Sequence, residues 1–99
     1  EVDYTMRVEV THYCACAKCC GKNANGMTAS GKQAAPGMVA MSSHYPFGTK
    51  LSINGVVYTV EDRGGSGIES NIARVDIFEA DHQTALRKGR YYAIATFYK

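Results

Sequence analysis

The chain has 99 residues, 45% of them hydrophobic, and a formal net charge of +2 with a pI near 8.4. A chain of this size makes one domain, residues 1–99, that buries only about 60–65% of the surface its unfolded form exposes, and a second domain is excluded. The mild charge on scattered lysines and arginines excludes a nucleic-acid binder, and no apolar run approaches the length of a membrane span.

In chain order, "YTMRVEVTHY" alternates, with Met6, Val8 and Val10 on one face and Thr5, Arg7, Glu9 and Thr11 on the other. That two-residue period predicts a half-buried strand. All four cysteines follow at once in "YCACAKCC", as Cys14, Cys16, Cys19 and Cys20. Links within so short a segment are local, and three disulfide pairings are open. Structural zinc normally draws ligands from two separated segments, so three readings stand side by side: local disulfides in an oxidising compartment, a metal helped by a histidine such as His12, or buried thiols. Gly21 to Gly37 is rich in small and polar residues and reads as an ordered loop over a barrel mouth or a flexible surface segment.

"TKLSI" and "VVYTVED" flank Asn54 and Gly55, the strongest short hairpin signal. "ARVDIF" and "YYAIATFYK" are β-branched and aromatic, and predict two more strands. Between them "EADHQTALRKG" offers a cap at Asp81, helix formers through Lys88 and a stop at Gly89, hence one short helix. His12, His44 and His82 show no metal spacing, and His82 is expected on the outer face of that helix. Tyr4, Tyr91 and Tyr92 lie in strands, where packing is the ordinary use of an aromatic.

Two carboxylates stand out because they interrupt apolar runs. Alternation sets Val56, Tyr58, Val60 and Asp62 on one face, whereas Arg74, Asp76 and Phe78 share a face opposite Val75 and Ile77. A carboxyl beside aromatic residues loses hydration, and its pKa rises, which is how an aspartic acid can donate a proton near neutral pH. The plainer alternative is that Asp62 caps the turn "DRGGSG" and Asp76 pairs with Arg74 or another surface cation. Glu61, next to Asp62, is expected on the opposite face with its side chain exposed.

The ordered series "YCACAKCCG", "TASG", "GMVAM", "YPFGTKLSING", "YTVEDRGGSG" and "RVDIF" followed by "HQTALRKG" resembles the 3D domain, a family named for three aspartates. That family is similar to the catalytic domain of the membrane-bound lytic transglycosylase A group. The resemblance covers nearly the whole chain from Val10 onward. It implies an all-β fold, a small six-stranded double-psi β-barrel, acting on bacterial peptidoglycan with no cofactor and no metal. Asp62 matches the family's middle aspartate and Asp76 its third, the position taken as the catalytic acid. The first aspartate is missing, because Met41 stands in its place and the adjacent Ser42 carries no charge. The segment from Asp62 to Asp76 is longer than the family pattern, with "SGIESN" as the insertion. Substrate contacts are expected from Thr28, Ser30, Arg63, Gly64 and Gly65, and from Tyr45 and Tyr58, with turn formation as the alternative for Thr28, Ser30 and the glycines.

Three function classes follow. A lytic transglycosylase would use Asp76 as acid and then base, with Asp62 raising the pKa of Asp76 by like-charge proximity. A β-1,4-glycan hydrolase would use Asp62 and Asp76 as an acid and base pair. A non-catalytic, expansin-like wall-binding barrel is the third, and Met41 favours it. The expected partner is the peptidoglycan glycan strand, bound by a monomer that needs neither nucleic acid nor a membrane span. The Glu1 end shows no signal peptide and no initiator Met, as expected of a processed protein or an excised domain. The expected location is secreted or associated with a bacterial cell wall, in a bacterial or phage context.

Overall fold

The computed structural model describes residues 1–14, 27–79 and 81–99. Six strands, β1 (Val2–Tyr13), β2 (Met38–Ala40), β3 (Lys50–Ile53), β4 (Val56–Asp62), β5 (Arg74–Phe78) and β6 (Tyr91–Tyr98), close into a barrel in the order β1-β5-β2-β4-β3-β6. Pairing is mixed: β1 with β5 and β2 with β4 are parallel, and the other four neighbours are antiparallel. Closure leaves no sheet edge to be blunted.

The alternation in β1 places Val8 and Val10 at 1% and 0% exposure, with Met6 packed against the same cluster. Val39, Met41, Leu51, Ile53, Val60, Val75, Ile77, Ala95 and Phe97 complete this interior, one contribution or more from every strand. Stripping hydration from so many aliphatic side chains is the main favourable term available to a small domain. Two rings extend it: Tyr45 stacks on Phe97 at 5.2 Å between centroids, and Tyr4 stacks on the same ring at 4.8 Å. Tyr92 does not pack inward. It is 59% exposed, with the Arg7 guanidinium 4.5 Å above its ring.

Asn54 and Gly55 form the tight turn between β3 and β4, with φ of +52° and +82°. Positive φ at both central residues gives the turn the twist that two antiparallel strands require, and asparagine and glycine tolerate it best. The expected helix is present as α2 (His82–Lys88), capped by Asp81, which accepts from Gln83 N–H at 3.3 Å and from the Thr84 hydroxyl at 2.7 Å. It ends at Gly89, whose φ is +64°.

One helix was expected and two are present among the described residues. A single turn, α1 (Ser66–Glu69), occupies the segment read as an insertion. Its Ile68 is buried and presses on Gly64, where an added Cβ would come within 2.6 Å of the Ile68 Cβ. Ser43 ties α1 to the loop before β3, donating through its N–H at 3.2 Å and through its hydroxyl to the Glu69 carboxylate. β2 is the other element that patterning missed, since three residues carry no measurable period.

Candidate active site

β2 is short, but it lies between the two strands that carry the aspartates. Ala40 pairs with Asp76 of β5 on one side and with Asp62 of β4 on the other, and Asp76 pairs in turn with Thr11 of β1. Thr11, Asp76, Ala40 and Asp62 therefore form one row across four strands. Side chains at one level of a sheet point to one face, so this row points away from the core that takes Val10, Val39, Val60, Val75 and Ile77.

Asp62 joins that row through an irregularity. Unbroken alternation would put it on the inward side with Val60. Instead Val39 pairs with Val60 and Ala40 with Asp62, so Glu61 is the extra residue of a β-bulge. A bulge re-aims the side chains that follow it. Here it brings Asp62 to the face of Asp76, with two strand spacings, roughly 9–10 Å, between the two backbones.

Glu61 is a correction to the sequence reading. It is buried at 7% exposure rather than exposed, and its carboxylate takes the Lys32 ammonium at 2.8 Å. That ion pair, with a lesser hydrogen bond from Ser30, holds the Glu61 carboxyl below the usual range. Ser30 N–H also donates to the Glu61 carbonyl at 3.1 Å. The turn at residues 28–32 is thus fastened to the bulge.

The two carboxylates have different surroundings. Asp62 accepts three hydrogen bonds: Ala29 N–H and Arg63 N–H reach Oδ1 at 2.8 Å each, and the Tyr13 hydroxyl reaches Oδ2 at 3.0 Å. Asp76 accepts one among the described residues, from the Thr11 hydroxyl to Oδ1 at 3.0 Å. Thr11 and Ala40 are 9% and 3% exposed although they face away from the core, and Asp62 and Asp76 beside them are half-buried, so the row lies partly under cover. That cover explains why burial, above all else, raises the Asp76 carboxyl above its ordinary range. The Thr11 bond and the charges of Arg74 and His12 pull it back, and the negative charge of Asp62 adds the smallest upward push. Like-charge proximity therefore acts in the expected direction, but desolvation dominates.

The other expected contacts divide. Thr28 is buried and its hydroxyl meets that of Ser30 at 2.9 Å and accepts from Lys32 N–H at 3.3 Å, so both hydroxyls hold the 28–32 turn. Ala29, between them, supplies the N–H that binds Asp62. Arg63 lies 4.0 Å above the Phe47 ring and donates to the Tyr45 carbonyl at 2.8 Å. Gly64 is half-buried against Ile68, while Gly65 is exposed at the start of α1. Tyr45 is a correction: at 4% exposure it is a core residue, its hydroxyl given to the Ile72 carbonyl at 2.8 Å and its pKa pushed up chiefly by burial. Tyr58 also packs against the core, half-buried opposite Leu51, and burial raises its pKa too. Both tyrosines stand apart from the aspartate row: Tyr58 is turned inward by the alternation of β4, and Tyr45, in the loop between β2 and β3, stacks on Phe97.

Met41, where the resemblance would put an aspartate, is fully buried in the core. Ser42 is buried as well and accepts from His44 N–H at 3.2 Å. Cys14 is 1% exposed; Cys16, Cys19 and Cys20 lie outside the described residues, as does the side chain of His82. Among the described residues, no three His, Cys, Asp or Glu side chains are gathered as a metal site. No helix of the described residues is long and apolar enough to cross a membrane.

Thr11 and Tyr13 were not singled out in the sequence. Two hydroxyls at alternate positions of β1, one for each aspartate, were present in "VTHY", but a polar residue on a strand's outer face carries no label of its own. No protein-family model and no curated protein matches the chain.

Proposed function

We propose that the protein is a peptidoglycan lytic transglycosylase that cleaves the MurNAc-β-1,4-GlcNAc bond and leaves 1,6-anhydro-MurNAc ends. The observation that carries this reading is the asymmetry between the carboxylates among the described residues: Asp76 is raised in pKa by burial and accepts one hydrogen bond, whereas Asp62 is held by three donors. The ordered motifs shared with the 3D domain family support the same reading.

The reaction needs one acid and no external nucleophile. Protonated Asp76 gives its proton to the glycosidic oxygen as the bond from the muramic anomeric carbon breaks. The 6-hydroxyl of the same sugar attacks that carbon, and the Asp76 carboxylate takes the hydroxyl proton, which restores the acid. Asp62, fixed by three donors, offers a positioned carboxyl near the positive charge that develops on the ring. A hydrolase would instead require Asp62 to activate a water. An ionised carboxylate has about four acceptor sites, and three at Asp62 are taken by protein donors, which disfavours that role.

Mass spectrometry of digested peptidoglycan tests the reading. Anhydro ends are expected; reducing ends would establish a hydrolase, and intact strands with retained binding would establish a wall-binding barrel. The substrate would place the protein at a bacterial wall, in a secreted or phage-borne setting.

A further inference from the structure

Arg74 has no role in the chemistry just described, and its setting is costly. It lies on β5 two residues before Asp76, on the same outward face, and is half-buried. Its Nε is buried without a hydrogen-bond partner, and among the described residues no carboxylate pairs with its guanidinium. The carboxylates beside it on β1 and β5 are engaged elsewhere. Glu9, its register partner on β1, binds Arg90 at 3.0 Å, and Asp76 is bonded by Thr11 at 3.0 Å. On its other flank is Gly67 of α1, where an added Cβ would lie 3.4 Å from Nη1. A buried guanidinium N–H that forgoes a partner destabilises a fold, and such groups call for a reason.

Assisting the acid is not that reason. The charge of Arg74 lowers the Asp76 pKa, which works against keeping the proton that the reaction needs. A guanidinium instead suits a carboxylate, which it can clamp with two parallel N–H···O bonds.

We propose that Arg74 is a binding residue for a carboxylate carried by the glycan, next to the acid. The inference rests on the peptidoglycan reading for the source of that carboxylate. Two groups on such a strand supply the same chemistry: the lactyl carboxylate of muramic acid, free once the peptide is removed, and the carboxylates of the stem peptide.

Calorimetric titration in the Asp76→Asn background separates binding from cleavage, and it removes any effect that Arg74 exerts through ionisation of that carboxyl. Three probes of equal length are compared: a chitin oligosaccharide without carboxylates, amidase-treated glycan strands with lactyl carboxylates, and strands with intact peptides. Arg74→Gln is expected to weaken binding of at least one carboxylate-bearing probe by about tenfold or more and to leave the chitin oligosaccharide unchanged. The probe that loses affinity identifies the source, and Arg74→Lys is expected to recover part of the loss. The proposal is overturned if all three probes weaken equally, if none weakens, or if carboxylate-bearing strands bind no better than chitin. Thermal melts of both Arg74 variants check that they fold. Failure of the transglycosylase reading would show separately, as absence of anhydro ends from the unaltered protein.

Discussion

At the scale of single residues, Asp62 accepts three hydrogen bonds and Asp76 one among the described residues, and the proposed division of work rests on this difference. Asp76→Asn keeps the shape and the acceptor for Thr11 but removes the transferable proton. The expected outcome is a loss of cleavage of about 10²- to 10⁴-fold with thermal stability at neutral pH unchanged or higher. The stability part follows from linkage. Burial raises the folded pKa of Asp76, so its contribution to stability is fully present below the unfolded pKa and is lost as pH rises through the raised folded value. Melting temperatures of the two proteins across that window should converge at low pH and separate above it. Thr11→Val removes a hydrogen bond to the ionised form, so the Asp76 carboxyl should titrate still higher, and Thr11→Ser should return it. Carboxyl NMR on both variants reads this directly; an unmoved midpoint in Thr11→Val would remove Thr11 from the account.

At the scale of elements, the bulge at Glu61 decides which face Asp62 occupies. Deleting Glu61 should remove the bulge yet leave Asp62 directly after Val60, still outward and opposite Ala40, so cleavage should fall only as far as the 28–32 turn, which Glu61 fastens, loses its hold on Asp62; Glu61→Gln should leave bulge and face intact. Because the Lys32 ammonium holds Glu61 below the usual carboxylate range, the stability from this pair is present above the unfolded pKa and is lost as pH falls through the folded one. Glu61→Gln should therefore flatten the acid limb of a stability profile measured by thermal melting. The bulge also marks where sequence reading stops. β1, the Asn54–Gly55 hairpin, β5, α2 and β6 were legible because periodicity, turn residues and caps are local signals. A bulge is legible only from the partner strand, and β2 is too short to announce itself. For the same reason both aspartates could be chosen from sequence, but not the hydroxyls of Thr11 and Tyr13 that hold them.

At the scale of the whole molecule, a closed barrel of 99 residues has little interior to spare, and Met41 is part of it at 0% exposure. Met41→Asp should therefore not add a third acid to the site. A carboxylate there would stand in the aliphatic core, and the expected result is a loss of about 4 kcal/mol or more, read as a collapse of the denaturation midpoint. Retained stability with higher cleavage would instead mean that the chain near position 41 rearranges to present the new group. The six-stranded closure was expected from the sequence, whereas the burial of Met41 was not, because the direction of a side chain just beyond a three-residue strand has no local signal.

The central claim is that one desolvated carboxyl both donates and recovers the proton. Its most direct test is to follow the Asp76 carboxyl carbon by NMR through a pH titration while the rate of anhydro-end formation is measured over the same range. The account predicts a midpoint above the ordinary carboxylate range and a rate that falls with the same midpoint as pH rises. An Asp76 that titrates with ordinary surface aspartates, or a rate indifferent to its titration, would contradict it.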